Sequence, residues 1–191
     1  MTIRAIETQY KGYRFRSRLE ARWAVFFDAL GIQWEYETEG FDLGEAGWYL
    51  PDFWLPELDM YIEIKGVIPT EEEIGKCEAV RSGLGAIVLF AGLPQEHYGY
   101  AWAYDLSDSS GGALNADDAL WGVSEKGHVC VMAAGERDRE FYSDPCMETL
   151  VRGLSRHWPS ILPLGYPHLW QRIHKAAQAT RSARFEHGEA P

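Results

Sequence analysis

Cysteine is scarce in this sequence, and long apolar runs are missing. The three cysteines, Cys77, Cys130 and Cys146, are odd in number and far apart. Such a set does not form a disulfide framework, so it predicts a reducing, cytoplasmic environment. The lack of a run of about 18 apolar residues predicts that the chain does not span a membrane. The polar N-terminus likewise predicts no signal peptide.

Three common nucleotide-binding and hydrolase motifs are also absent. The sequence has no Gly-x-x-x-x-Gly-Lys phosphate loop, no Gly-x-Gly-x-x-Gly turn and no Gly-x-Ser-x-Gly nucleophile elbow. It therefore gives no sign of the chemistry that these motifs support. What is present is 191 residues, 46% of them hydrophobic and eight of them tryptophan. This composition predicts one compact domain with an appendage.

Positive charge is outweighed, since the formal net charge is −11. A general nucleic-acid binder is normally basic, so the total argues against one. The charge is unevenly placed, however. Residues 1–22 hold six bases and two acids, whereas residues 35–78 hold thirteen acids and only Lys65 and Lys76 as bases. A basic arm beside an acidic pocket is compatible with binding a phosphate backbone at one edge and a metal at the other.

The basic arm supplies three candidate nucleic-acid contacts, Arg14, Arg16 and Arg18. Aromatic residues are interleaved with the bases of this arm, and such residues can stack on nucleic-acid bases. They can equally belong to an ordinary segment that packs on the core. Both interpretations stay open at this point.

The stretch 49–66 predicts a β-hairpin. Aromatic and β-branched residues fill two short runs, and Pro56 and Asp59 bracket the break between them. A two-residue connection between Pro56 and Asp59 fixes the register. The predicted pairs are Pro56/Asp59, Leu55/Met60, Trp54/Tyr61, Phe53/Ile62 and Asp52/Glu63. Opposed residues share a face of the sheet, so the last pair brings two carboxylates together with Cβ atoms about 5 Å apart.

Two opposed carboxylates repel each other and weaken a sheet unless something offsets their charge. A divalent cation is the natural candidate, because hard cations such as Mg²⁺ prefer carboxylate ligands. Lys65 shares a face with Glu63, since side chains two apart on a strand project to the same side. Its ammonium would lie beside the cation, where it can face a phosphate or a water.

The sequence Pro51-Asp52, followed on the next predicted strand by Glu63-Ile64-Lys65, resembles the signature of the PD-(D/E)XK nuclease superfamily. The resemblance implies that Asp52 and Glu63 bind catalytic Mg²⁺ or Mn²⁺, with the Ile64 carbonyl as a further ligand. It also implies that Lys65 helps to activate water or stabilises charge.

A helix is predicted from Ser17 to Leu30, with Gly31 as the terminating residue. Its predicted buried stripe is Leu19, Trp23, Phe26, Phe27 and Leu30. Glu20 borders this stripe and has two competing roles. It completes a capping box with Ser17, and the resemblance implies a third carboxylate of the metal site on the first core helix. We favour the site role.

The remaining core elements are a strand at 33–37, a turn at 39–47, a second helix after Thr70 and a buried strand at 86–90. Thr70 is the predicted N-cap of this second helix, and Glu73 completes a capping box with it. A strand–helix–strand order predicts a crossover and parallel pairing. The resulting order matches the αβββαβ core of the restriction-endonuclease-like fold, an α/β fold with a mixed sheet. Lys76 on the second helix is a candidate contact by resemblance, although an ion pair with Glu72 is the more ordinary role.

The predicted elements divide the chain into two segments. These are a nuclease-like core with the basic N-terminal arm at 1–95 and a β and helical extension at 96–191 that packs on it. Within the extension the predicted strands are 100–106, 120–123 and 129–133, the predicted helices are 144–157 and 167–184, and a polar loop covers 107–118.

The sequence thus predicts a Mg²⁺- or Mn²⁺-dependent endonuclease that hydrolyses DNA, similar to small enzymes of phages and mobile elements. The sequence leaves open whether the DNA substrate is branched or has another specific structure, and whether the protein forms a homodimer or binds a protein partner. Two alternatives remain: a non-catalytic interaction protein that keeps the fold, and a nuclease that cleaves RNA.

Overall fold

The computed structural model describes residues 5–83, 86–94, 99–104, 116–123, 129–134 and 167–185. The strands are β1 (Thr8–Tyr10), β2 (Tyr13–Phe15), β3 (Glu35–Tyr36), β4 (Phe41–Asp42), β5 (Trp48–Tyr49), β6 (Phe53–Leu55), β7 (Met60–Lys65), β8 (Ala86–Ala91), β9 (Gly99–Tyr104), β10 (Ala116–Val123) and β11 (Val129–Ala134). The α-helices are α1 (Arg18–Leu30), α2 (Glu71–Gly83) and α3 (Pro167–Ser182), and short 3₁₀ turns cover Gly44–Ala46 and Pro56–Leu58. No helix of the described residues is long and apolar enough to cross a membrane.

A mixed sheet of seven strands, in the order β11-β10-β9-β8-β7-β6-β3, forms the centre of the fold. Strands β7 and β8 run parallel, as the strand–helix–strand order predicts, and the other neighbours run antiparallel. The α/β class with a mixed sheet is therefore confirmed. Strand β9 pairs with β8 across the predicted boundary at residue 95, so the sheet continues into the extension.

The central hairpin has the predicted register. Its pairs are Phe53↔Ile62, Trp54↔Tyr61 and Leu55↔Met60, whereas the predicted pair Pro56/Asp59 lies in the 3₁₀ turn Pro56–Leu58 and its cap instead of the strands. The Asp59 amide donates to the Pro56 carbonyl at 3.3 Å, which closes the tight turn, and Asp59 adopts the left-handed conformation with φ 49°. The predicted Asp52/Glu63 position lies one residue beyond the last paired rung.

Helix α1 begins and ends where its signals indicate. The Ser17 hydroxyl accepts a hydrogen bond from the Glu20 amide, and Gly31 closes the helix with φ 74°. The predicted stripe is buried except for Leu19, which is partly buried. The buried face is wider than the sequence predicts and includes Val25, because residues of α3 such as Ile173 belong to the same core.

The two faces of the sheet carry separate apolar cores. Alternate residues of β7 and β8, such as Ile62 and Val88, join the core that contains α1 and α3. The intervening residues, such as Leu89, join a smaller core with Cys77 of α2. Side chains of β7 that project toward α2 therefore lie on a face where burial is incomplete, which leaves room for a site.

Some local predictions need correction. The N-terminal segment forms the β1–β2 hairpin, because Lys11 and Gly12 both adopt positive φ and close a two-residue turn. The strand predicted at 33–37 is reduced to β3, and the turn predicted at 39–47 contains β4 and a 3₁₀ turn.

The extension is described only in parts. Strands β9, β10 and β11 and helix α3 lie close to their predicted positions. The predicted loop at 107–118 overlaps the start of β10, and its remaining residues lie outside the described residues, as does the helix predicted at 144–157.

Candidate active site

Asp52 and Glu63 are buried at the end of the β6–β7 hairpin, with 9% and 5% of their surfaces exposed. The Ile64 amide donates to Asp52 Oδ2 at 2.7 Å, so the side chain supplies an acceptor just beyond the last backbone pair. Burial raises the pKa of Asp52, and the charges of Glu63 and Glu20 raise it further. The structure therefore brings together the two carboxylates that the hairpin register predicts.

Only one oxygen of Glu63 is well satisfied. Oε1 lies 2.8 Å from the Lys65 ammonium. Oε2 is buried and makes no hydrogen bond of good geometry within the described part of the chain, although the Tyr49 hydroxyl lies near this carboxylate, where burial, the charge of Glu63 and contact with it raise the pKa of Tyr49. Leaving a buried acceptor unpaired costs about 1–3 kcal/mol, and more when it is charged. This oxygen is therefore a natural position for a cation ligand.

Lys65 lies between two carboxylates, with Nζ 2.8 Å from Glu63 Oε1 and 3.2 Å from Glu73 Oε1. Burial lowers the pKa of Lys65, but the two carboxylates raise it by more, so the net shift is upward. The ammonium consequently stays protonated at neutral pH. This charge state suits stabilisation of negative charge and does not suit a general base.

A cleft of about 360 Å³ opens over these groups. Its lining residues are Arg16, Trp48, Tyr49, Leu50, Glu63, Lys65, Glu73 and Lys76. The Tyr49 hydroxyl lies 3.5 Å from Cys77 Sγ, and burial raises the pKa of that thiol to about 12. Cys77 is thus a protonated core residue at neutral pH and not a nucleophile.

Glu20 has both carboxylate oxygens engaged. Oε1 accepts from the Ser17 hydroxyl at 2.5 Å, while Oε2 accepts from the Tyr36 hydroxyl at 2.5 Å and from the Arg16 amide at 3.2 Å. The capping role is therefore present. Glu20 also lies near enough for its charge to raise the pKa of Asp52, and its role as a third ligand stays a prediction.

The predicted nucleic-acid contacts occupy different positions. Arg16 and Lys76 line the cleft, where Arg16 pairs with Glu37 at 2.6 Å and Lys76 pairs with Glu72 at 2.9 Å. The predicted ion pair between Lys76 and Glu72 is therefore present. Exposed ion pairs of this kind are weak, so either cation can exchange its partner for a phosphate.

The other two predicted contacts lie elsewhere on the N-terminal segment. Arg14 is an exposed residue of β2 that pairs with Glu7. Arg18 is partly buried in the first turn of α1.

Two lining residues were missed by the sequence reasoning. Glu73 was assigned only to the capping box with Thr70, which does form, and its contact with Lys65 comes from the tertiary fold. Trp48 precedes the recognised hairpin and lies on a two-residue strand, which is too short to show alternation. Its only sequence signal was an aromatic residue next to a glycine-rich turn.

The donor atoms agree in part with a metal site. No three His, Cys, Asp or Glu side chains converge as a ready-made metal site among the described residues. However, Mg²⁺ commonly takes only one or two carboxylates from a protein and completes its shell with water and substrate oxygens. Asp52 and Glu63 offer that set, and the buried Glu63 Oε2, which makes no hydrogen bond of good geometry among the described residues, fits it.

Comparisons of this chain with protein-family models, with curated proteins and with solved structures find no match. No relative therefore assigns a role to the cleft. Its interpretation depends on the geometry of Asp52, Glu63 and Lys65.

Proposed function

We propose that this protein is a metal-dependent nuclease that hydrolyses DNA phosphodiester bonds, built on a PD-(D/E)XK-type core. One observation carries the proposal: Asp52 and Glu63 are buried close together where Lys65 lines an open cleft. Neighbouring buried carboxylates with a raised pKa are typical of catalytic and ligand sites, because holding both charges without a cation costs stability.

Asp52 and Glu63 would hold Mg²⁺ or Mn²⁺ through hard carboxylate oxygens. Such a cation supplies Lewis-acid activation of water and neutralisation of phosphate charge. The hydrogen bond from the Ile64 amide fixes the orientation of the Asp52 carboxylate. The Ile64 carbonyl stays a predicted ligand by resemblance.

Lys65 would act on the phosphate directly. Its ammonium is held by Glu63 and Glu73 at the cleft wall, so its position is fixed before a substrate arrives. A fixed cation stabilises the charge that develops on the phosphoryl oxygens without reorganising during the reaction. Arg16 and Lys76 at the rim would bind neighbouring phosphates of the strand.

The test is cleavage of supercoiled plasmid and of branched DNA in Mg²⁺, in Mn²⁺ and in EDTA. We expect cleavage with either metal and none in EDTA. Asp52→Asn and Glu63→Gln should each lower the rate by at least about 100-fold, as expected for loss of a transition-state contact. Glu57→Gln is the matched control, because Glu57 is an exposed carboxylate in the turn of the same hairpin. Equal cleavage by Asp52→Asn and Glu57→Gln would refute the proposal.

A nuclease that cleaves RNA has the same site chemistry, so matched DNA and RNA strands must be compared in this assay. Faster cleavage of RNA than of DNA would identify the protein as a ribonuclease instead of a deoxyribonuclease.

A non-catalytic interaction protein is the second candidate, and one observation favours it. Lys65 and Glu20 already have protein partners, so part of the cluster is satisfied without a ligand. Calorimetric titration with Mg²⁺ and Mn²⁺ separates the two functions, since a protein that only binds partners has no reason to bind either metal through Asp52 and Glu63.

A further inference from the structure

Trp48 is a large exposed side chain at the rim of the candidate active site. It is 69% exposed and lines the same cleft as Glu63 and Lys65. The neighbouring residue Tyr49 is buried and belongs to the core on the α2 face of the sheet. Alternation along β5 therefore anchors one aromatic ring and leaves the other at the cleft mouth.

The indole of Trp48 is held in place from one side. Strand β5 pairs with β4, with Asp42 opposite Trp48, and Phe41 of β4 packs edge-on against Tyr61 of the main sheet. A Cβ at Gly40 would lie only 2.5 Å from Cζ2 of the indole. The ring therefore lies across Gly40, which is possible because glycine has no side chain there.

Three cations share the cleft lining with this ring. Arg16, Lys65 and Lys76 line the cleft together with Trp48, against the two carboxylates Glu63 and Glu73. A positioned aromatic ring beside cations is the combination that binds single-stranded nucleic acid, because the cations follow the phosphates and the ring stacks on a base. A base offers its π face only when it is unpaired, since a continuous duplex covers that face.

We propose that Trp48 stacks on an unpaired base next to the scissile phosphate, so that the cleft selects DNA with single-stranded or branched character over continuous duplex. This inference depends on the proposed nuclease function and names its substrate class. Trp48 is a substrate-positioning residue in this role and takes no part in the bond-making step.

Binding in EDTA tests the inference separately from cleavage. Fluorescence anisotropy is measured with a labelled single strand of DNA and with the duplex of the same sequence. We expect the wild-type chain to prefer the single strand, and Trp48→Ala to weaken that binding by about 5- to 100-fold, the range for loss of one stacked base. Trp48→Phe keeps a ring and should recover most of the affinity. Duplex binding should change by less than about twofold.

Gly40→Ala is the second variant, because it keeps the indole of Trp48 but displaces it from its position across residue 40. Gly40 has no positive φ that alanine would strain, so the variant should fold and should weaken single-strand binding as well. Val67→Ala is the matched control, since Val67 is 77% exposed and apolar. It should leave binding unchanged. Equal melting temperatures would confirm that the variants are folded.

The outcomes separate the two proposals. Unchanged single-strand binding by Trp48→Ala, equal losses for single strand and duplex, or no single-strand binding by the wild-type chain would each overturn the inference. Tighter binding of single-stranded RNA than of DNA would overturn it as well. If Mg²⁺-dependent cleavage persists in those cases, the nuclease proposal still stands. Absence of cleavage with a selective effect of Trp48 would refute the nuclease and, with it, the placement of the base next to a scissile phosphate, and would leave Trp48 as a single-strand contact.

Discussion

Asp52 carries a charge that this fold disfavours. Burial raises its pKa, the charges of Glu63 and Glu20 raise it further, and the Ile64 amide and Lys65 offset only part of the shift. Because the folded-state pKa lies above the ordinary value of 3.8, the stability that Asp52 contributes is complete below that pH. It is lost as the pH rises through the raised pKa.

We therefore expect Asp52→Asn to stabilise the metal-free protein at neutral pH. The expected sign is a gain in the free energy of unfolding, because asparagine carries no charge that burial and the charges of Glu63 and Glu20 would disfavour. Asparagine keeps an oxygen that can accept from the Ile64 amide. Urea unfolding in EDTA at pH 7 measures the gain, and at pH 4 the gain should shrink. A variant less stable than the wild type at pH 7 would contradict the burial of an ionised Asp52.

The ammonium of Lys65 is the cation proposed to contact the phosphate in the cleft. Lys65→Met should lower the cleavage rate by about 100- to 1000-fold, because it removes a fixed cation from the phosphate. Lys65→Arg should recover only part of the rate, since guanidinium geometry differs from that of an ammonium. Because the pKa of Lys65 is raised above the ordinary 10.5, its deprotonation should not affect the rate below that pH. A lysine-dependent rise in rate between pH 7 and 9 would instead indicate a base.

The N-terminus of α1 joins a structural motif to the candidate site. Ser17, Glu20 and Tyr36 form one hydrogen-bonded group, and the charge of Glu20 also reaches Asp52. A single element can thus support the fold and tune the site, and separate substitutions can distinguish these contributions.

Ser17→Ala should lower the free energy of unfolding by about 1 kcal/mol, the usual cost of removing an N-cap hydroxyl. It should leave Mn²⁺ affinity unchanged. Glu20→Gln should weaken Mn²⁺ binding less than Asp52→Asn does, because hydrogen bonds already engage both Glu20 oxygens. Calorimetric titration of the three variants gives the order. A larger loss of affinity for Glu20→Gln would make Glu20 a principal ligand.

The elements that the sequence predicted correctly are those with a local physical signal. The capping boxes at Ser17 and Thr70 and the left-handed Gly31 each depend on residues within one helical turn. The register of the central hairpin follows from a two-residue turn and from alternation on both strands. These signals were sufficient to place Asp52 near Glu63.

The elements that were missed lack such a signal. The turn at Lys11 has a lysine in the left-handed region, where asparagine or aspartate before glycine is the usual signal. Strands β4 and β5 have two residues each, too few to show alternation. Their pairing brings Trp48 to the cleft, and the contact between Lys65 and Glu73 joins β7 to α2. Contacts between elements of this kind are set by packing and are not encoded in a short window.

At the scale of the whole molecule, the larger apolar core lies on one face of the sheet and the candidate site lies on the other. Among the residues that the structure describes, the core that contains α1 and α3 buries more large apolar side chains than the core on the α2 face, which borders the cleft. The buried carboxylate pair lowers the free energy of unfolding. The protein tolerates this loss because burial in the larger core offsets it. Binding of a cation to the native state should raise the free energy of unfolding of the whole domain.

We therefore expect Mg²⁺ or Mn²⁺ to raise the melting temperature of the wild-type chain. A ligand at 100 times its dissociation constant stabilises a protein by about 2.7 kcal/mol, which corresponds to about 5–10 °C for a chain of this length. Asp52→Asn and Glu63→Gln should abolish the rise, whereas Glu57→Gln should keep it. Thermal unfolding followed by circular dichroism, in EDTA and across a titration of each metal, gives the shifts. Because this measurement needs no nucleic acid, an identical melting temperature with and without millimolar cation would contradict cation binding by Asp52 and Glu63 in the substrate-free protein. A rise that persists in Asp52→Asn would place the bound cation elsewhere on the acidic surface.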